Sequence, residues 1–215
     1  MPAAGRGDRL GGATPKALRP LAGVPMLCRA VAALQACPLV GAVVVAVPEN
    51  FVDDVIGLLP RTVTVVAGGV DRRASVAAAL AALPAGLDVV LVHDAARPLA
   101  PPELVARVAE AVLAGAAAVV PAMAVTDTIK RVDDRSLVRE TLAREHLRAV
   151  QTPQGFRRDV LEAAHARSPG EVTDDAGLVE HLGYPVLVVP GDARAMKVTT
   201  AADLVIAAAL LGEEA

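Results

Sequence analysis

The sequence predicts an α/β fold, in which a mostly parallel β-sheet carries helices on both faces. Three observations lead to this prediction. Short apolar runs rich in β-branched residues recur along the whole chain, as in strands that are buried on both faces. Stretches with helical periodicity separate these runs, and such alternation is typical of βαβ units. A hydrophobic content of 54%, mostly Ala, Val and Leu, supplies a large core.

Five runs are predicted to be strands, and six stretches are predicted to be helices. The predicted strands are 42–47, 63–66, 88–92, 117–120 and 185–189. The predicted helices cover about 24–36, 72–83, 101–114, 157–167, 174–182 and 201–211. Ligands of such folds bind outside the carboxyl ends of the strands. The residues that follow each strand are therefore the first candidates for function.

Composition and charge argue against several classes of function. The 215 residues fit a single domain over 1–215. An aromatic content of 1% and a net charge of −3 argue against a nucleic-acid-binding surface. No apolar run reaches transmembrane length and no signal sequence is recognisable, so we expect no membrane partner. Cys28 and Cys37 fit neither a zinc spacing nor a disulfide framework, which favours a reduced, cytoplasmic protein.

The glycine-rich stretch 2–16 is the first candidate site. Gly5 and Gly7 allow a sharp turn and a close approach of the backbone to a ligand. Positive charge is concentrated in and just after this stretch, at Arg6, Arg9, Lys16 and Arg19. Backbone N–H groups and fixed cations together suit a polyphosphate. The pattern is neither a Walker A loop nor a dinucleotide-binding fingerprint, and a solvated basic turn is the alternative interpretation.

A loop of this type is expected to follow a strand, but the sequence begins at Met1 and Pro2. Three explanations are open. The natural chain begins upstream of Met1, or the present chain is shortened, or the sheet lacks a strand that is usually central. We expect the first of these.

Three further candidates follow predicted strands. Gly69 and Ser75 belong to a turn and helix start after 63–66, for which a plain turn with a helix cap is the alternative. Asp94 and Arg97 follow the strand at 88–92, where an Asp commonly faces a ligand, a metal or a ribose hydroxyl; a structural Asp–Arg turn is the alternative. Lys197 lies at the end of a short strand near the C-terminus.

The α/β alternation breaks between about 124 and 149. Residues 125–132 alternate between apolar and polar, two Asp residues offer a turn, and 137–142 read as a return strand. An isolated hairpin is only marginally stable in water. We therefore expect this inserted hairpin to dock on a second subunit, with a flap over its own domain as the alternative.

The candidate residues favour phosphate chemistry over covalent catalysis. The four histidines show no metal spacing, and no Ser lies in a nucleophile elbow. Cations instead stand at separate strand ends, at Arg9, Lys16, Arg97 and Lys197. Holding phosphates in line and neutralising their charge is what nucleotidyl transfer requires. The sequence therefore favours transfer at a nucleotide phosphate, assisted by Mg²⁺.

Six motifs occur in one order along the chain. They are Ala3-Ala4-Gly5 through Arg9 with Pro15-Lys16, Gly68-Gly69 with Arg72 and Ser75-Val76, the stretch Val92 to Pro98, Thr152-Pro153-Gln154, Thr173-Asp174, and Lys197-Val198-Thr199. Their ordered combination resembles the 2-C-methyl-D-erythritol 4-phosphate cytidylyltransferase family over nearly the whole chain. The stretch His-Asp-Ala-Ala-Arg-Pro at 93–98 is its most diagnostic part.

The resemblance implies a Rossmann-like fold of the nucleotide-diphospho-sugar transferase type and a homodimer built by the hairpin arm. It implies CTP and the sugar-alcohol phosphate as substrates, Mg²⁺ as cofactor and pyrophosphate as a product. The Mg²⁺ ligands remain unassigned. Residues implied to contact CTP are Ala3, Ala4, Gly5, Gly69 and Ser75, the last two near the base.

The resemblance also assigns roles in catalysis and acceptor binding. Arg9 and Lys16 would stabilise the pentavalent transition state. Residues placed around the acceptor are Asp94 and Arg97, where nucleotide and sugar phosphate meet, Thr128 and Arg144, which would reach across the dimer, and Lys197, which would complete the acceptor-phosphate pocket.

Three other functions compete with this one. A cytidylyltransferase for ribitol 5-phosphate or another polyol phosphate would carry the same motifs. A nucleotide-binding regulatory protein could keep the fold without turnover, although the retained Arg9, Lys16 and Lys197 argue against it. An NAD-dependent dehydrogenase is disfavoured, because the G-x-G-x-x-G fingerprint is absent.

Overall fold

The apolar runs and the helical stretches form the strands and helices predicted for them. The computed structural model describes residues 1–3, 15–167 and 172–212. Its helices are α1 (Met26–Gln35), α2 (Val52–Leu58), α3 (Arg72–Ala81), α4 (Pro102–Leu113), α5 (Arg158–Arg167), α6 (Asp175–His181) and α7 (Ala201–Gly212). Its strands are β1 (Pro20–Leu21), β2 (Val24–Pro25), β3 (Val43–Val47), β4 (Val63–Ala67), β5 (Val89–Val92), β6 (Ala118–Ala124), β7 (Lys130–Val132), β8 (Val138–Thr141), β9 (Arg148–Val150), β10 (Gln154–Arg157) and β11 (Val186–Pro190). No helix within these ranges has both the length and the apolar character needed to cross a membrane.

The α/β class is confirmed, but the sheet is mixed rather than mostly parallel. Strands β11, β6, β10 and β5 lie side by side in that order. β11 and β6 are parallel, whereas β10 runs antiparallel to both of its neighbours. β3 and β4 pair in parallel as a separate unit. The sequence did not reveal β10, because among its four residues only Phe156 is a large apolar side chain and none is β-branched.

Strand β10 returns the chain from the hairpin region to the middle of the sheet. A Cβ atom at Gly155 would lie 2.7 Å from Val108 Cγ1 and 2.9 Å from Val112 Cγ2. The backbone of β10 is therefore packed directly against α4. Gln154 pairs with Val92 at the carboxyl end of β5, so the residues just before β10 lie beside the predicted ligand edge.

Helices cover both faces of the strands, as predicted. In β3, Val43, Val45 and Val47 join an apolar cluster with α1 and α2, and Val44 and Ala46 pack against α3. Around β5 and β6, helices α3, α5 and α6 cover one face and α4 covers the other. Burial on both faces explains why these strands read as uninterrupted apolar runs.

The chain between 124 and 149 contains a small antiparallel hairpin. β7 and β8 pair with each other, and all of their residues are exposed. The carboxylate of Asp133 accepts hydrogen bonds from the backbone N–H groups of Arg135 and Leu137, which closes the turn. Both strands are shorter than predicted. The first begins at Lys130 rather than at residue 125, and the second covers Val138–Thr141 rather than 137–142. The docking of this hairpin on a second subunit stays a prediction.

Candidate active site

A cavity of about 470 Å³ opens at the carboxyl ends of β4 and β5. Its wall is formed by the loop before α3, the stretch after β5, and short segments near both ends of the described chain. The cavity brings together half of the residues that the sequence singled out: Ala3, Lys16, Gly69, Ser75, Asp94 and Lys197. This is the edge of the sheet at which ligands of such folds bind.

The loop that opens α3 is a tightly bonded turn. The Ser75 hydroxyl accepts a hydrogen bond from the Gly69 N–H at 3.1 Å and donates one to the Asp71 carbonyl at 2.8 Å. The Asp71 carboxylate caps the helix by accepting from the Ala74 N–H at 2.7 Å. A Cβ atom at Gly69 would lie 2.2 Å from the Cβ of Ala74, so no other residue fits there without a shift of the loop. The helix-cap interpretation is thus confirmed, and the capped turn also forms a wall of the cavity.

Asp94 is the charged centre of the cavity. Its Oδ2 lies 2.8 Å from the Lys197 ammonium, and its Oδ1 lies 3.5 Å from the Arg72 guanidinium. Burial by itself would raise the pKa of Asp94, but the two cations outweigh it and hold this pKa at about 2. The carboxylate is therefore ionised at any physiological pH, and it holds Lys197 at the cavity wall.

Arg72 connects Asp94 to a second, buried carboxylate. Its Nη1 donates to Oδ2 of Asp175 at 2.6 Å, and Asp175 is only 1% exposed. The other oxygen of Asp175 accepts a hydrogen bond from His165 Nε2 at 2.9 Å. Burial would raise the pKa of Asp175, but the His165 hydrogen bond and the Arg72 charge together lower it. Arg72 is thus fixed in place as a cation that lines the cavity.

A buried hydrogen-bond chain supports Asp94 from behind. Thr152 Oγ1 accepts the Asp94 N–H at 3.0 Å and lies 3.1 Å from Nδ1 of His93. The other ring nitrogen of His93 is 3.1 Å from the Arg97 carbonyl oxygen. Burial lowers the pKa of His93 to about 4, so the ring is neutral. A carbonyl can only accept, so Nε2 carries the proton and Nδ1 accepts from the Thr152 hydroxyl.

Arg97 faces the protein rather than the cavity in this structure. Its guanidinium donates to the carbonyl oxygens of Ala195 at 2.6 Å and Val150 at 3.2 Å. The Val198 N–H donates to the Ala96 carbonyl at 2.8 Å. These bonds tie the segment that carries Lys197 to the loop that carries Asp94. Contact between Arg97 and a substrate stays a prediction.

Besides Arg97, five predicted residues are not among the described residues that line the cavity. Ala4, Gly5 and Arg9 lie outside the described residues. Thr128 and Arg144 are exposed beside the hairpin, where the Arg144 guanidinium donates to the Thr126 carbonyl. A single chain therefore does not bring these two residues to the cavity.

Among the described residues that line the cavity, one carboxylate suits a divalent cation. Within the described ranges, no three His, Cys, Asp or Glu side chains are grouped so that they could hold a metal ion. Of the two carboxylates that the described lining residues supply, Asp71 caps a helix and Asp94 is ionised and faces the two cations. Mg²⁺ is commonly bound through one or two carboxylates together with substrate phosphates. Asp94 therefore fits a Mg²⁺ that arrives with a polyphosphate.

Sequence reasoning missed four residues that shape the site. They are Arg72, His93, Thr152 and Asp175. Asp174 caps α6 by accepting a hydrogen bond from the Gly177 N–H at 3.0 Å. The position of these four residues within the six ordered motifs, or directly after one in the case of Asp175, is the sequence signal that could have identified them.

Several known proteins with similar sequences carry the same name. A family model described as 2-C-methyl-D-erythritol 4-phosphate cytidylyltransferase matches residues 1–213. The protein of that name from Frankia casuarinae is 59% identical over 211 residues, which cover 98% of this chain and 79% of that protein. Its counterpart from Rhodococcus jostii is 53% identical over 215 residues, which cover 100% of this chain and 95% of that protein. The crystal structure of the enzyme of the same name from Thermus thermophilus is 41% identical, with a TM-score of 0.78, and the match covers 94% of this chain and 95% of that one.

Proposed function

The chain belongs to the 2-C-methyl-D-erythritol 4-phosphate cytidylyltransferase family, and we propose that the cavity at the ends of β4 and β5 is its active site. The protein is a nucleotidyltransferase that forms 4-diphosphocytidyl-2-C-methyl-D-erythritol and pyrophosphate from CTP and 2-C-methyl-D-erythritol 4-phosphate. The observation that supports this site is the convergence of Lys16, Arg72 and Lys197 on one cavity beside a capped glycine turn.

The reaction needs positioning and charge neutralisation more than covalent help from the protein. An oxygen of the acceptor phosphate attacks the α-phosphorus of CTP. A new P–O bond forms as the bond from this phosphorus to the bridging oxygen breaks, and pyrophosphate leaves with the electron pair. The cations of the cavity lower the repulsion between the two phosphates.

The nucleotide is proposed to bind between Ala3 and the turn before α3. Gly69 and Ser75 would lie near the base, and backbone groups at Ala3, Ala4 and Gly5 would contact the rest of the nucleotide. Gly69 carries no side chain, which lets its backbone pack directly against Ala74 of α3 at the cavity wall. The bond from Gly69 to Ser75 keeps that backbone in place before the ligand arrives.

Substitution of Gly69 by alanine tests this half of the site. The added methyl would displace the loop from Ala74. Overpacking costs about 1–3 kcal/mol. Where this cost falls on the turn as it binds the nucleotide, KM for CTP is expected to rise by about 5- to 140-fold, since each 1.4 kcal/mol is a factor of about ten. The matched control is Gly57→Ala on α2, where a Cβ would meet nothing within 4 Å. Equal KM values for both variants would remove Gly69 from the nucleotide site.

The acceptor phosphate is proposed to bind against Lys197. In the structure the Lys197 ammonium forms an ion pair with Asp94 Oδ2 at 2.8 Å, and the Lys197 side chain is about half exposed. An arriving phosphate would share this ammonium with Asp94. We propose that Arg97 supports the same junction by holding the segment that carries Lys197 beside the loop that carries Asp94. We further propose that Arg97 contacts the substrate directly.

Mg²⁺ is the proposed cofactor, and Asp94 is the residue that would hold it. The ion would supply charge neutralisation at the triphosphate. The ionised state of Asp94 suits this task, because a deprotonated carboxylate is the form that binds Mg²⁺.

A homodimer is proposed to complete the acceptor site. Thr128 and Arg144 lie beside a hairpin whose strands are wholly exposed, and a hairpin of this size needs a surface to pack on. Its exposed apolar side chains are Val132, Leu137 and Val138. We propose that this hairpin packs against a second copy of the chain and places Arg144 in the cavity of that copy.

Mixing two inactive variants tests the shared site. Arg144→Ala and Lys16→Ala each damage a different half of a site that two chains build together. After subunit exchange, mixed dimers contain one intact site, so we expect part of the activity to return. An exchanged mixture that stays as inactive as its components would show that Arg144 acts within its own chain.

A cytoplasmic location is part of the proposal. Cys28 and Cys37 are both free thiols in the structure. Reduced cysteines are the rule in that compartment.

The deciding experiment is pyrophosphate release with CTP and Mg²⁺, in which 2-C-methyl-D-erythritol 4-phosphate is compared with ribitol 5-phosphate. Turnover with the first substrate alone is the expected result. Turnover with ribitol 5-phosphate alone would keep the site and the mechanism but change the acceptor. No turnover with either acceptor would favour a nucleotide-binding regulatory protein, and CTP binding would then be measured directly.

A further inference from the structure

A buried imidazole lies behind Arg72, the cation that lines the cavity. His165 is in the last turn of α5, and its side chain is 7% exposed. Its Nε2 lies 2.9 Å from Oδ1 of Asp175, and Oδ2 of Asp175 accepts from Arg72 Nη1 at 2.6 Å. The three side chains come from three different helices, α5, α6 and α3. Together they form a line of contacts that runs from the interior to the cavity wall.

The imidazole of His165 is bonded through one of its two nitrogens. The pKa of Asp175 is lowered, so its oxygens can only accept, and Nε2 of His165 carries the proton of their bond. Nδ1 is buried, and within the described ranges it has no hydrogen-bond partner. A buried polar atom without a partner costs stability, whichever charge the ring carries. The bond to Asp175 is therefore the polar contact of this ring that offsets such a cost.

The backbone of His165 is held against α3 as well. The Arg73 guanidinium donates to the His165 carbonyl oxygen at 2.8 Å. Carbonyl groups in the last turn of a helix have no partner inside the helix, so this bond satisfies one of them. Neighbouring residues of α3 thus meet the same point of α5, Arg73 directly and Arg72 through Asp175. The ring of His165 therefore starts from a fixed position.

Asp175 holds Arg72 more closely than Asp94 does. The guanidinium is 2.6 Å from Asp175 but 3.5 Å from Asp94, which also pairs with Lys197 at 2.8 Å. A carboxylate with a single partner can turn about its Cβ–Cγ bond. The second bond, from His165 to the other oxygen, fixes the plane of the Asp175 carboxylate. Its fixed plane in turn selects one orientation of Arg72, whose side chain otherwise has many rotamers.

We propose that His165 is a positioning residue for the reaction, because its hydrogen bond orients Asp175 and Asp175 orients the Arg72 guanidinium at the cavity. This inference rests on the proposed function, in which the cations of the cavity neutralise the phosphates. A donor that is already oriented needs no reorganisation when negative charge develops, and this is the source of its effect on the rate. His165 is not among the described residues that line the cavity, so it acts through the other two.

Two substitutions separate the hydrogen bond of His165 from the bulk of its side chain. His165→Leu removes the donor, and we expect kcat to fall by about tenfold with KM unchanged, a smaller loss than the roughly 10²-fold that a misplaced reacting group can cause. His165→Gln keeps a side-chain N–H for Asp175 and is expected to retain kcat within about threefold. The matched control is His181→Leu at the exposed end of α6, which is expected to leave kcat unchanged. Each variant is assayed below its own Tm. Unchanged kcat in His165→Leu, or an equal loss in His165→Gln, would overturn the proposal.

A double-mutant cycle shows whether His165 acts through Arg72. The background for this cycle is Arg72→Met with Asp175→Asn, in which both intermediate side chains are replaced. Substitutions within one hydrogen-bond network are not additive, so adding His165→Leu to this background is expected to change kcat by less than about twofold. If His165 only supported the fold, its substitution would lower kcat by the same factor in both backgrounds. That result would overturn the proposal.

Nitrogen-15 NMR of the ligand-free protein tests the orientation of Arg72 without any turnover. Carboxylates lie against both Nη1 and Nη2 of Arg72, so slow rotation of the guanidinium is expected to give two separate Nη signals, assigned by their loss in Arg72→Lys. We expect these signals to merge in His165→Leu and to stay separate in His165→Gln. Separate signals in both variants would overturn the proposal. A wild type that releases no pyrophosphate would instead contradict the proposed function, and the spectra would still report whether His165 orients Arg72.

Discussion

Replacement of Lys16 by alanine is expected to lower kcat by about 10²–10³-fold, the usual loss when one preorganised donor to a developing oxyanion is removed. Lys16 lines the same cavity as Asp94 and Lys197, in a short turn that begins directly after Pro15. A fixed ammonium there acts most strongly when charge builds up on the α-phosphorus. Steady-state pyrophosphate release at saturating CTP is the measurement, and Arg9→Ala is expected to cause a loss of the same size.

Lys130→Ala is the matched control for Lys16→Ala. Lys130 is also a lysine, but it lies on the exposed strand β7, where its ammonium donates to Thr141 Oγ1 at 2.6 Å. It is expected to leave kcat within about twofold of the wild type. A Lys16 variant that raised KM while kcat stayed unchanged would mean that Lys16 only binds the ground state of CTP.

The fold was predictable where local sequence and burial agree. β3 and β5 are apolar throughout because both of their faces are covered, and the sequence shows this directly. β10 carries no such signal, since Gly155 is needed for close packing on α4 and Gln154 for a bond to Asp174 at 2.7 Å. Helix α2 was missed because it has seven residues and buries only Val55. Tertiary contacts, rather than local propensity, form these two elements.

The site was predictable only in part, for a related reason. Strand ends can be found from the sequence, and they gave Gly69 and Asp94. The short strand predicted to end at Lys197 is wrong, because residues 196–199 form no strand in the structure, although Lys197 does line the cavity. The partners of these residues are distant in the chain: Lys197 and Asp94 are 103 positions apart, and so are Arg72 and Asp175. No local pattern reveals which carboxylate meets which cation over such a separation. The importance of Arg72 therefore emerged only from the structure.

Replacement of Arg72 by methionine is expected to destabilise the protein by about 3 kcal/mol, because the loss of one partner leaves a buried charge uncompensated. The Asp175 carboxylate is 1% exposed, and of its two hydrogen bonds to side chains that the structure describes it would keep the one from His165. Urea denaturation at pH 7 measures this loss. Activity is expected to fall as well, because the cavity loses one of its cations.

The pH dependence of this loss follows from the direction of the pKa shift. In the wild type the pKa of Asp175 is lowered, so its contribution to stability is present above the ordinary Asp range and fades as the pH falls. Without Arg72, burial would raise this pKa, and the carboxyl group would take up a proton more easily. The stability difference between the two proteins is therefore expected to be largest near neutral pH and to shrink as the pH falls toward 4.

The double variant Arg72→Met with Asp175→Asn separates structure from catalysis. A neutral side chain at position 175 needs no cation, so we expect most of the lost stability to return. If Arg72 also neutralises the phosphates, kcat stays low in this stable double variant. Recovery of both kcat and stability in the double variant would show that Arg72 only holds Asp175 in place. Wild-type stability in the Arg72→Met single variant would show that the buried ion pair of Arg72 and Asp175 does not stabilise the fold.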